Sequence, residues 1–129
     1  MIVDSCMFYD DLAVYEGFGG IVLVKEEGEN ISRALGSKKN LILQNHGLIT
    51  AGSTVGEAAA FFIALERACQ TQLLVEHALT HTPGLQKKYV GDDEAAYTKN
   101  ASRSPAATHM QFVPEYELIC KETEGDFTK

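Results

Sequence analysis

The chain has 129 residues, of which 45% are apolar and 22% charged, and a formal net charge of −7. One domain of this size can bury roughly two-thirds of its unfolded surface. The acidic balance argues against nucleic acid or an anionic membrane as default partner, though not against a local site for an anionic metabolite. No apolar run approaches the roughly 20 residues of a membrane-spanning helix.

Three cysteines, Cys6, Cys69 and Cys120, with no CxxC spacing, form a reduced pattern rather than a disulfide framework. A cytoplasmic protein is expected. The N-terminus MIVDSCMFYDD carries neither a signal nor a transit pattern.

In chain order, Ile2 to Tyr9 is β-prone and predicts a strand. DDLAVYEGFGG is loop-like, with a short extended piece at Ala13-Val14-Tyr15. Ile21 to Val24 predicts a second strand after Gly19-Gly20. Lys25 to Leu35 reads as a short helix with Ile31, Ala34 and Leu35 on one face, stopped by Gly36. Leu41 to Leu43 and Leu48 to Ala51 predict two strands around Gln44-Asn45-His46-Gly47. Their near-continuous apolarity predicts burial on both faces, under covering helices.

Thr54-Val55-Gly56-Glu57 is a capping box. It opens a helix expected to run to about Ala78, before Pro83 and Gly84, with an apolar face of Val55, Ala58, Ala59, Phe62, Leu65, Cys69 and Leu73. Asp92 to about Ala101 predicts a helix with acidic residues at its N-terminus. From Ser102 onward the pattern predicts a loop, a short extended piece and a polar tail. Strands alternating with helices give an α/β class.

His46 is the residue best placed for chemistry. As part of an Asn-His-Gly turn it is a turn residue, with Gly47 taking the positive φ. At the apex of a rigid hairpin it could equally be a metal ligand or a base. The residues leave both readings open, because a catalytic zinc needs three protein ligands. His77 and His81 have the four-residue spacing of H-E-x-x-H but lack its glutamate, so an exposed pair is expected. His109 has no evident partner. Glu66 falls among Phe62, Ile63, Cys69 and Gln70, inside the predicted apolar stripe. A carboxylate there must be paired or protonated, in a structural pair or in support of the His46 turn. The carboxylate runs Asp10-Asp11 and Asp92-Asp93-Glu94 read as solvated faces or helix N-termini. Gly17, Gly19 and Gly20 precede a strand rather than a helix, so no dinucleotide site is indicated.

NLILQNHGLITAGSTVGEAAAFFIALERACQTQLL, Asn40 to Leu74, resembles the later half of the class II aldolase/adducin family. The carriers are the apolar strand, the Asn-His-Gly turn, the capped STVGEA start and the helix with ALERACQ. The flanks agree more weakly. The resemblance implies a layered α/β/α sandwich, of which this chain holds the C-terminal part of the sheet with its covering helices. It would be one partial domain over residues 1–129, with its core match at 40–74 and a polar tail from about 102.

In the family's enzymes, a zinc ion held by three histidines stabilises an enediolate and a glutamate serves as acid/base. The resemblance places His46 at the third zinc-ligand position, with Asn45 and Glu66 as candidates to support it. The H-x-H pair, the acid/base glutamate and the phosphate loops precede the matching segment and are absent from this chain. The expectation is therefore part of a Zn2+-dependent lyase or epimerase acting on small phosphorylated sugars or hydroxy acids, inactive as this chain alone. The alternative is a non-catalytic, adducin-like assembly module. Either way a homo-oligomer is expected, also because half a sheet would leave strand edges exposed. Neither nucleic acid nor a membrane is expected as partner.

Overall fold

The computed structural model describes residues 3–17 and 25–128. The strand predicted over Ile21–Val24 lies outside the described residues.

The fold is a layered α/β structure built on a mixed three-stranded sheet of order β1-β2-β3, with β1 at Leu12–Tyr15, β2 at Asn40–Leu43 and β3 at Gly47–Thr50. β1 and β2 are parallel, with Leu12 opposite Asn40 and Tyr15 opposite Leu43. β2 and β3 form an antiparallel hairpin in which Asn40 faces Thr50 and Leu43 faces Gly47.

Residues directly opposite one another share a face. Leu12, Asn40 and Thr50 therefore lie on one side, as do Val14, Ile42 and Leu48. That side meets the long helix α2, Val55–His81: Leu12 and Leu48 pack on its core cluster, and Thr50 Oγ1 donates to Ala58 O at 2.8 Å. The other side, with Ala13, Tyr15, Leu41 and Leu43, meets α1, Lys25–Leu35. The sheet is thus covered on both faces. Gly36 ends α1 as expected, in the left-handed region at φ 56.

The N-terminal segment is not a strand. Val3–Phe8 is a 3-10 helix, followed by turns in which Tyr9 N donates to Cys6 O and Asp11 N to Phe8 O. Cys6, Met7 and Phe8 are all buried. A tight turn can aim consecutive side chains at α2 and α3, whereas a strand sends alternate ones to opposite faces. Packing overrides β-propensity here.

The capping box is present in modified form. Thr54 Oγ1 accepts from Glu57 N at 3.1 Å, but the Glu57 carboxylate reaches the amide of Ser53 rather than of Thr54. The helix runs one turn beyond the expected Ala78.

Its buried face overlaps the predicted one only in part: Leu65 is buried and Cys69 packs at the edge of the core. Phe61, Leu65 and Ala68 are buried against Met7 and Phe8, and Ala60 is buried as well. Val55 is 84% exposed, Phe62 44% and Leu73 70%. Apolar residues occupy more than one face of this helix, so periodicity alone does not choose between them. Met7 and Phe8 of the 3-10 helix, with Leu48, do.

α3, Asp92–Ser102, packs against the 3-10 segment as an acid-opened helix. The predicted polar tail is instead a helix, α4, at Pro105–Glu122. Ser104 accepts from Ala107 N and Pro105 opens the first turn, the favoured arrangement of cap and proline. α4 packs along α2, with Phe112 against Gly56 and Arg67 paired to Glu115 at 2.6 Å. These contacts rise together in sequence, so α2 and α4 run roughly parallel. Among the described residues no helix is long and apolar enough to cross a membrane.

Phe61→Ala is expected to cost about 3–5 kcal/mol in urea unfolding, and Val55→Ala under about 0.5 kcal/mol. Equal costs would contradict this assignment of the buried face.

Candidate functional site

In a parallel β-α-β unit the helix starts where the first strand ends. The N-terminal turn of α1 therefore lies at the same end as the C-terminal ends of β1 and β2, where α/β proteins hold ligands. The His46 turn sits at that end.

Gln44, Asn45 and His46 form a three-residue hairpin loop between the paired residues Leu43 and Gly47. His46 N donates to Leu43 O at 3.1 Å. The left-handed position expected at Gly47 is held by Asn45, at φ 59, while Gly47 at φ 158 is nearly extended. Asparagine tolerates that conformation better than other side-chain-bearing residues. Gln44 N donates to Tyr15 O at 3.0 Å, tying the loop to the end of β1. His46 is exposed at the apex.

Beside it, Tyr15 Oη donates to Glu27 Oε2 at 3.0 Å, in the first turns of α1. Burial, and then this bond to a carboxylate, raise the Tyr15 phenol above its usual range. A Cβ at position 17 would lie 2.6 Å from the Tyr15 ring, so Gly17 is what lets the chain pass there. Sequence reading did not single out this phenol–carboxylate pair, because its partners are 12 residues apart on different elements.

The candidates named beside His46 fall differently. Asn45 is next to it and shapes the loop. Glu66 is exposed and accepts from Gln70 Nε2 at 3.1 Å. The buried-carboxylate argument fails because the buried stripe of α2 lies on another face. Cys69, one turn on, is partly buried against the core, and burial followed by the Glu66 charge pushes its thiol up. His77 and His81 are an exposed pair at the end of α2, with ring centroids 4.1 Å apart. His109 is exposed on α4. Among the described residues no three or more His, Cys, Asp and Glu side chains are grouped to hold a metal ion. His46 therefore does not make a zinc site with the described residues alone.

The opposite end of the sheet holds a polar cluster that the sequence did not reveal. Asp11, read as part of a solvated run, is buried. Its carboxylate accepts from Lys39 N at 3.1 Å, from Asn40 Nδ2 at 3.0 Å and from Arg103. The Arg103 guanidinium lies 4.5 Å from the Phe61 ring centroid. Lys39 Nζ donates to Glu57 Oε1 at 2.8 Å. A pocket of about 370 Å³ opens here, between Lys39, Glu57, Lys99 and Arg103. No local pattern signals an ion pair whose members are 92 positions apart.

These features define a layered α/β protein with an exposed histidine on a clamped hairpin at the ligand end of a β-α-β unit. Residues 2–73 match the family described as the Class II Aldolase and Adducin N-terminal domain. The chain belongs to the class II aldolase and adducin family. It is 32% identical over 123 residues to the Meiotically up-regulated gene 14 protein of Schizosaccharomyces pombe, covering 94% of this chain and 47% of that one. It is 41% identical over 75 residues to Decarboxylase NovR of Streptomyces niveus, covering 58% of this chain and 28% of that one. Its fold matches the solved L-fuculose 1-phosphate aldolase from Glaciozyma antarctica PI12 with a TM-score of 0.77 and 36% identity, over 95% of this chain and 43% of that one. The chain thus spans less than half the length of each.

Asn45→Ala is expected to lower stability by about 0.5–1 kcal/mol and Asn45→Gly to leave it nearly unchanged, as read by thermal unfolding. The Lys39 ammonium, with the Ser53 amide, holds the Glu57 carboxyl below its ordinary range. A lowered folded-state pKa gives stability that is fully present above the unfolded value of about 4.5 and is lost as pH falls through the folded one. Glu57→Gln should therefore cost about 1–2 kcal/mol at pH 7, and progressively less below about pH 4.5. A pH-independent difference would assign the loss to packing.

Proposed function

We propose that this chain is part of a Zn2+-dependent class II aldolase-type lyase or epimerase acting on small sugar phosphates or hydroxy acids. In this reading it is a cytoplasmic, homo-oligomeric protein without nucleic-acid or membrane partners. His46 is the third zinc-ligand position, and Asn45 sets the loop that carries it. The supporting observation is the clamped Asn45-His46-Gly47 tip, in a chain whose fold follows that of an L-fuculose 1-phosphate aldolase. Zinc would supply Lewis-acid stabilisation of developing negative charge on the substrate. The described residues offer only one of its ligands, so the polypeptide alone is inactive and the remaining ligands lie outside them. Glu66, exposed on α2 and bonded to Gln70, drops to a surface role.

A second reading, a non-catalytic adducin-like assembly module, draws support from the apolar side chains exposed along α2 and α4. Metal content separates the two. Elemental analysis of the chain purified without chelator should find well under one zinc per chain, with no turnover of small sugar phosphates. One zinc per chain that His46→Ala removes would mean that this chain, or a second copy of it, completes the site, and would overturn the inactivity. One zinc that survives His46→Ala would remove His46 from the metal site.

A further inference from the structure

His77 and His81 carry two imidazoles to which the proposed function gives no role. They stand at the end of α2, four positions apart and on one face of the helix. That face is open to solvent: Leu73 and Leu74, a turn earlier, are 70% and 69% exposed. The segment Leu85–Tyr89, with Lys87 and Lys88, lies along Gln72, Val75 and Leu79, on the other side of the helix. Its cations are therefore across the helix from the imidazoles.

The pair is arranged as a chelate. The ring centroids are 4.1 Å apart and the planes tilted by 34°. Two nitrogens, each about 2.1 Å from one ion and at a right angle to each other, lie about 3 Å apart, within reach of rings at this spacing. The tautomer of His81 is also set. Its Nδ1 lies 2.7 Å from His77 O. A carbonyl oxygen only accepts, so Nδ1 carries a proton and donates it. In the neutral ring the free lone pair is then on Nε2. A metal-ligating histidine characteristically donates its other N–H in this way, often to a backbone carbonyl, which fixes the ring and makes the ligand nitrogen more basic. The C-terminal end of a helix carries partial negative charge and favours a cation, as does a net charge of −7.

We propose that His77 and His81 form a two-imidazole site for a late first-row divalent cation, Ni2+ or Cu2+ in preference to Co2+ or Mn2+. His81 binds through Nε2, and water fills the positions the two imidazoles leave. Among the described residues no third His, Cys, Asp or Glu joins them. The ion is therefore exchangeable, and the site fills when metal is supplied rather than retaining it through purification. The facing of the two rings exists only in the helix, so a bound ion holds the end of α2 helical and stabilises the folded chain. This site is independent of His46 and stands whether or not the chain is part of a lyase.

Calorimetric titration of the parent chain with Ni2+, which does not oxidise the free thiols, tests the proposal. The chain should bind one Ni2+, more tightly than Co2+ or Mn2+, and saturating Ni2+ should raise its thermal unfolding midpoint. His77→Ala and His81→Ala should each weaken binding at least about tenfold and remove the rise. His46→Ala should change neither. Adding Ala78→His to His81→Ala returns an imidazole to the chain but not to the same face, and should not restore binding. The changed positions of α2 are exposed, so far-UV circular dichroism should show unchanged helix content in the metal-free variants. No saturable Ni2+ binding, or binding that survives both alanine substitutions, would overturn the site. Loss of binding in His46→Ala would move the ion to the hairpin and overturn it as well. Restoration by Ala78→His would show that any added histidine suffices, and would overturn the chelate.

Discussion

Arg103 over the ring of Phe61 is the contact on which the arrangement of this chain depends. The guanidinium covers the largest fully buried side chain of the core and delivers its charge to Asp11, at the start of the sheet. Asp11 in turn fixes the first residues of β2, through the amide of Lys39 and the side chain of Asn40. Removing either charge would leave the other buried and uncompensated, which is far more costly than never having built the pair. One interaction thus joins the 3-10 segment, the sheet, the face of α2 and the end of α3.

That joint sets the position of α4. Arg103 is the C-cap of α3 and Ser104 the N-cap of α4, so the chain turns from one helix into the next at the ion pair. α4 must leave from the base of the sheet and run along the first half of α2. Glu57 reinforces the same corner, bonding Lys39 on one side and the amide of Ser53 on the other. The base of the fold is tied by charge. The far halves of α2 and α4 extend away from it, with the Arg67–Glu115 and Lys87–Glu76 pairs as their ion-pair ties. Their exposed leucines follow from that geometry.

What was legible in the sequence was local. The turn at His46, the start of α2 at Thr54, the stop of α1 at Gly36 and the acidic opening of α3 are each set by neighbouring residues, and each is present. What was illegible depended on distant partners. The face of α2 is chosen by Met7, Phe8 and Leu48, so apolar residues on more than one face left the periodicity, and the reading of Glu66 with it, on the wrong side. Val3–Phe8 has strand-like composition but is needed as a plug under α2 and α3. α4 was legible in principle, since Ser104-Pro105 is a cap followed by a first-turn proline. Pro114 lies inside this helix, which packing against α2 supports. Of the candidate site, the apex and its histidine were readable, whereas the Tyr15–Glu27 pair and the Asp11 cluster were not.

The two ends of the sheet are built on opposite principles. At the base Asp11 is met by Arg103 and Glu57 by Lys39, so these charges are occupied in holding the chain together. At the His46 end the backbone does the holding: Gln44 is bound to Tyr15, His46 to Leu43, and Gly17 gives way to the Tyr15 ring. The imidazole is exposed on a support that is already ordered. A donor fixed in this way loses little conformational freedom when something binds it, which is the advantage of preorganisation. One preorganised donor is still one donor. Its contribution becomes large only when other groups are held at fixed distance from it, and rigidity at the tip is worth having only under that condition. The single bond from Gln44 to Tyr15 carries the β1–β2 pairing into the loop and so supplies that rigidity.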